Sequence, residues 1–223
     1  TSWWADANNK PIYDLMSFGK TFFAKHSLLN ILTKYCVFTS DQMLLTMRPY
    51  QIVATERVLQ KIVMSENQKT LGTLDAGGYV WHTTGSGKTL TSFKTAQIAS
   101  KMASVDKVLF VVDRKDLDYQ TMKEYDRFQE GAANASNSTK QLKERLEDSS
   151  AKIIITTIQK LSMFIAQNPN HAIQTKRVVL IFDECHRSQF GDMHMAIKKA
   201  FSNYNLFGFT GTPIFAANSS SGN

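Results

Sequence analysis

Two short stretches carry residue types and spacings that could do chemistry. The first is "YVWHTTGSGKTL", Tyr79 to Leu90. Gly85 and Gly87 let the backbone curl so that successive N–H groups point at phosphate oxygens, and Thr84 and Ser86 complete that curl. Lys88 then reaches the β- and γ-phosphates, and the Thr89 hydroxyl is a ligand for Mg²⁺. The usual spacing is G-x-x-x-x-G-K-[ST], but His82 stands where the first glycine belongs. The second stretch is "VVLIFDECH", Val178 to His186, an apolar run that ends in two acids. Asp183 would hold Mg²⁺ through its water shell, and Glu184 would polarise an attacking water. With Lys88 these two acids form the candidate catalytic set.

A third stretch, "FTGTP" (Phe209 to Pro213), offers two hydroxyls around a glycine at a strand end, where α/β sites lie. Taken alone it is a turn. Cys185 and His186 raise two other chemistries. A nucleophilic Cys–His pair needs side chains that face each other, and adjacent residues at a strand end diverge. A metal held by His186 and His194 lacks a second ligand pair at a known spacing.

The elements that must position these groups follow from hydrophobic periodicity. Apolar runs predict strands at 79–82, 107–113, 152–157, 178–183 and 206–210. Helical patterns fall near 88–102, 116–129, 139–147, 158–167 and 192–201. Near-continuous apolar strands indicate burial on both faces, as in a mainly parallel sheet covered by helices. Pro49 suits the first turn of a further helix, with Ile52, Leu59, Ile62 and Val63 on one face. Residues 1–47 read as helices without a strand series, from Phe18, Phe22, Phe23, Leu28, Leu29, Ile31, Leu32 and Tyr35. Polar stretches at 65–78 and 130–139 read as loops, and 216–223 as a tail.

Composition narrows the class. The 223 residues suffice for one α/β domain and some additional structure. No apolar run reaches the roughly 18 residues that span a bilayer, and the N-terminus does not have a signal peptide pattern. Two distant cysteines argue against a disulfide framework and fit a reducing cytoplasm. The N-x-[ST] matches at Asn134, Asn137 and Asn218 are then chance matches in polar loops. A net charge of +7 favours phosphate-bearing partners.

"GSGKT", "DECH" and "TGTP" together resemble motifs I, II and III of the superfamily 2 helicase and translocase ATPases. "VVDRKDL" and "TTIQK" take the places of motifs Ia and Ib, and "RPYQ" (48–51) that of a Q-type adenine motif. Over about 48–215 the longer stretches "RPYQIVATERV", "WHTTGSGKTLTSFK", "IFDECHRSQFG" and "GFTGTPIF" resemble the motor subunit of type I restriction–modification enzymes. In that family the phosphate loop opens with histidine.

The resemblance implies a RecA-like, three-layer α/β motor domain over 48–215, preceded by a helical linker at 1–47 from an upstream nuclease domain. It implies a second motor domain beyond residue 223, bringing an arginine finger. The implied activity is ATP- and Mg²⁺-dependent translocation of double-stranded DNA in the bacterial cytoplasm, beside methyltransferase and specificity subunits. Arg48 and Gln51 would meet adenine. His186, Thr210, Gly211 and Thr212 would couple nucleotide state to the DNA track, and Arg114, Lys115, Thr157, Gln159 and Lys160 would lie near the DNA backbone. A generic superfamily 2 helicase domain and a non-catalytic nucleotide- or DNA-binding module are the alternatives.

Overall fold

A computed structural model describes residues 4–6, 8, 10–83, 85–112, 127–128, 138–183 and 191–211. Five strands form one parallel sheet: β3 (Gly78–Trp81), β4 (Lys107–Val112), β5 (Ile153–Thr157), β6 (Val178–Asp183) and β7 (Tyr204–Thr210). Their spatial order is β3-β7-β6-β4-β5. Val108–Val112 and Val178–Phe182 are buried throughout, as expected for strands covered on both faces. β3 departs from that expectation. It is an edge strand, and Tyr79 and Trp81 are 63% and 55% exposed.

Helices α3 (Pro49–Asn67) and α4 (Lys88–Ala99) cover one face, where Ile62, Phe93, Ala96, Phe110, Ile181 and Phe209 meet in one core. Helices α5 (Thr139–Glu147), α6 (Ile158–Gln167) and α7 (Gly191–Ala200) cover the other, around Leu109, Leu142, Phe164, Leu180 and Ile197. This is the three-layer RecA-like α/β arrangement. The predicted helix at 116–129 lies outside the described residues, apart from a helical pair at 127–128.

The reading of 1–47 needs correction. Helices α1 (Leu15–Phe22) and α2 (Lys25–Lys34) are there, but β1 (Cys36–Phe38) and β2 (Leu44–Thr46) follow as an antiparallel pair. The turn residues "TSDQ" between two apolar runs carry that hairpin signal. Buried Lys94 of α4 donates to the Cys36 carbonyl at 2.9 Å and ties the hairpin to the sheet's helical layer. The inward face of α3 also differs from the expectation. Gln51, Thr55, Val58, Leu59, Ile62 and Ser65 are buried, whereas Val63 is exposed. The polar members are paired: Thr55 bonds Thr95 of α4, and Ser65 accepts from Asn205 of β7.

Candidate functional site

In a parallel sheet all strand C-termini lie at one end, and the loops leaving them share that end. β3 ends at Trp81, and the chain turns through Thr83, Gly85, Ser86 and Gly87 into α4 at Lys88. Gly85 and Gly87 both have positive φ (+79° and +78°), which L-residues adopt only at a cost. Gly87 caps α4, so Lys88 and Thr89 stand in the helix's first turn, where free N–H groups and the helix dipole favour an anion.

The loop is held from behind by α3. Gln51, 3% exposed, accepts the Arg48 N–H at 2.7 Å. Its Nε2 donates to the Ser86 and Gly87 carbonyls at 3.0 and 3.3 Å. The Tyr50 hydroxyl donates to the same Ser86 carbonyl at 2.7 Å. Ser86 also donates its hydroxyl to the Thr83 carbonyl at 2.6 Å. Thus the amide of Gln51 serves the main chain, while Arg48 is exposed and borders the adjoining cavity.

That cavity, about 1010 Å³, runs from the loop along the groove between α3 and β3. Arg48, Arg57 and Lys61 line it, and no carboxylate does among the described residues. Its charge and its phosphate-loop end suit a nucleotide polyphosphate. The backbone curl, the open space over Gly85 and the helix terminus all fit that ligand. The Thr89 hydroxyl, in the first turn of α4, is a hard oxygen donor of the kind Mg²⁺ takes.

His82, 8% exposed, sits at the loop's entrance. Its N–H donates to the Thr210 carbonyl at 3.0 Å. Its ring meets that of Tyr50 edge-on, 5.4 Å between centroids. Burial, and secondly the Lys88 charge, hold its pKa below the usual histidine value. Trp81 adds a second tie to the end of β7, donating its indole N–H to the Gly211 carbonyl at 3.2 Å. The entry of the phosphate loop and the start of "TGTP" are therefore bonded together.

Residues 50–223 match the family SWI2/SNF2 ATPase. The C-terminal part of the type I restriction enzyme MpnIIP endonuclease subunit of Mycoplasma pneumoniae is 50% identical over 204 residues, covering 89% of this chain and 99% of that one. The chain belongs to the SWI2/SNF2 ATPases, among the endonuclease subunits of type I restriction enzymes. A type I endonuclease subunit of Staphylococcus aureus is 46% identical over 221 residues, and the chain spans 98% of itself but 23% of that relative's length. The UvsW helicase of bacteriophage T4 shares the fold, with a TM-score of 0.53 and 16% identity over 94% of this chain and 64% of that one.

Within this SWI2/SNF2 domain the remaining predicted residues divide by strand. Asp183 ends β6, two strands from β3, or roughly 10 Å across the sheet. Thr157 ends β5 at the far edge and caps α6 by accepting the Lys160 N–H at 3.2 Å. Gln159 and Lys160 follow in the first turn of α6. That cluster stands four strand spacings from β3, roughly 19 Å, at the same end of the sheet. Thr84, Arg114, Lys115, Glu184, His186 and Thr212 lie outside the described residues. Sequence reasoning missed what Tyr50 and Trp81 do; both stand inside quoted stretches, "RPYQ" and "WHTTGSGKTLTSFK", but only the fold shows that their side chains bond the loop and the end of β7.

Proposed function

We propose that this domain is the ATP-binding half of a motor that translocates double-stranded DNA, as part of a type I restriction enzyme that also cleaves DNA. The observation that carries the reading is the curled loop at Gly85–Lys88, clamped to α3 and opening on a cavity lined by cations.

In this reading the N–H groups of the loop, with Thr84 and Ser86, receive the phosphates, and Lys88 neutralises the terminal ones. Arg48 meets the base from the cavity wall, with Gln51 behind it holding the loop. Thr89 and Asp183 would hold Mg²⁺, which would supply charge neutralisation for the phosphates. Glu184 orients the attacking water. Thr210 and Gly211, bonded to His82 and Trp81, transmit the state of the loop together with His186 and Thr212. Thr157, Gln159 and Lys160, with Arg114 and Lys115, lie along the DNA backbone, where basic and hydrogen-bonding groups bind without reading sequence. Residues 1–47 link this motor domain, 48–215, to a nuclease domain, and 216–223 lead on from it. Methyltransferase and specificity subunits are its proposed partners.

The test is ATP binding and hydrolysis by the full chain, with and without linear duplex DNA, against Lys88→Ala and Asp183→Ala. Both variants should lose hydrolysis, and Lys88→Ala should bind ATP at least about tenfold more weakly. If neither substitution changes binding or turnover, the site is wrongly assigned. A preference for branched DNA or RNA over linear duplex would favour a generic helicase instead.

A further inference from the structure

We propose that Tyr50 and His82 are positioning residues for nucleotide binding: the buried His82 ring fixes the Tyr50 phenol, whose hydroxyl turns the Ser86 carbonyl away from the phosphate cradle. The inference rests on the phosphate-loop reading and goes beyond it, because neither residue belongs to the loop's phosphate-binding atoms.

The peptide plane carries the argument. In a trans peptide the carbonyl and the next N–H point in opposite directions. Two donors from α3, the Tyr50 hydroxyl at 2.7 Å and Gln51 Nε2 at 3.0 Å, hold the Ser86 carbonyl toward that helix. The Gly87 N–H is therefore aimed the other way. The Gly87 carbonyl is fixed similarly, by Gln51 Nε2 at 3.3 Å and by the N–H and hydroxyl of Thr91, each at 3.0 Å. That aims the Lys88 N–H outward as well. A loop that can flip these peptides would present carbonyl oxygens to phosphate, and anions repel there.

Tyr50 can do this only if its ring is held. His82 supplies the support, with ring planes at 83° and centroids 5.4 Å apart, the edge-to-face geometry aromatic pairs prefer. His82 is itself anchored by its N–H to Thr210. A glycine at this position, as in the common loop pattern, has no ring to offer. The histidine is thus part of the loop's scaffold, and its Nδ1 finds no hydrogen-bond partner among the described residues. Packing rather than hydrogen bonding is what the ring contributes.

The experiment measures affinity of the full chain for Mg·ADP, Mg·ATP and adenosine. Variants are Tyr50→Phe, His82→Ala, His82→Phe and Tyr50→Phe with His82→Ala, with Lys88→Ala as the reference. Tyr50→Phe and His82→Ala should each weaken ADP and ATP about three- to tenfold, what one ordinary hydrogen bond commands, and leave adenosine unchanged. The double variant should be no weaker than the weaker single, since both act on one carbonyl. His82→Phe keeps the ring and should come within about twofold of the parent protein. Nucleotide-free melting of Tyr50→Phe should match the parent. The proposal is overturned if the two losses multiply, if His82→Phe is as weak as His82→Ala, or if affinity falls only in step with melting temperature. If Lys88→Ala binds ATP like the parent, the phosphate-loop reading itself has failed; if Lys88→Ala is defective and the Tyr50 and His82 variants are not, only the brace has.

Discussion

Gln51 and Gly87 are packed so closely that a β-carbon on Gly87 would stand 2.6 Å from Gln51 Nε2. That nitrogen is the one donating to the Ser86 and Gly87 carbonyls. Gly87 is therefore required twice, by its φ of +78° and by the side chain behind it. Gly85 has the same φ sign but nothing within 4 Å of its would-be β-carbon. Gly85→Ala should cost the backbone strain alone, about 1–2 kcal/mol. Gly87→Ala should cost more, since Gln51 must also move, and should melt several degrees below Gly85→Ala. Equal melting temperatures would show that the Gln51 contact yields freely.

The Gln51 amide offers a sharper test, because its two ends do opposite jobs. Oε1 accepts the Arg48 N–H, and Nε2 donates to carbonyls. Gln51→Glu keeps the acceptor but sets a carboxylate oxygen against the Ser86 and Gly87 carbonyl oxygens. Gln51→Ala removes both ends and should weaken ATP binding about tenfold, as loss of the two hydrogen bonds to the loop's carbonyls implies. Gln51→Glu should be weaker still at pH 8 and should recover as the pH approaches glutamate's protonation range. Isothermal titration at two pH values checks the order; a glutamate variant stronger than alanine at pH 8 contradicts it.

How far the sequence already disclosed this site depends on the kind of signal. β4 and β6 were readable because continuous apolar runs such as Val108–Val112 have one plausible fate, a strand covered on both faces. The loop was readable because glycine, lysine and threonine at fixed spacing serve one geometry. Apolar periodicity misleads at α3: it favours Val63, which is exposed, over Gln51, Thr55 and Ser65, which are buried. Those polar residues are inward-facing because each has a partner on another element. The β1–β2 hairpin has strands of three residues each, too short to interrupt the helical spacing of the apolar residues before them. Tyr50 and Ser86 are 36 residues apart. No local pattern announces such a contact; it exists only once α3 lies beside the loop.

Histidine burial sets a pH dependence. Burial first, then a neighbouring lysine (Lys88 and Lys198 respectively), lowers the pKa of His82 and of His194. In the unfolded chain both titrate at about 6.5. Below that pH the unfolded state binds protons that the folded state refuses, so stability falls as the pH drops through that value. It is fully present above it. Melting temperature should decline between pH 7.5 and pH 5.5, and the decline should shrink in His194→Gln, where Phe182 packs edge-on against the ring at 5.2 Å. An unchanged slope in that variant would remove His194 from the account.

At Lys107 stability and nucleotide binding come apart. Lys107 begins β4, at the end of the sheet away from the phosphate loop, and is 2% exposed. Its ammonium gathers carbonyls at and just beyond the C-terminus of α5: Arg145 at 3.3 Å, Asp148, and Ala151 at 2.7 Å. Burial pushes its pKa down and the Asp148 charge opposes that push, so the cation is held chiefly by the carbonyl oxygens around it. Lys107→Met fills the same volume with no donor. The Arg145 and Ala151 carbonyls then lose this partner at once, while the Asp148 carbonyl keeps the Ala151 N–H, at a cost of about 2–4 kcal/mol, or roughly 5–12 °C in melting temperature for a chain of this size. ATP affinity of the folded protein should stay the same, because no bond to the loop, α3 or the end of β7 is touched. Calorimetry beside nucleotide titration reads both quantities. A variant that melts like the parent, or one that loses affinity while remaining folded, would show that Lys107 does something other than close the end of α5.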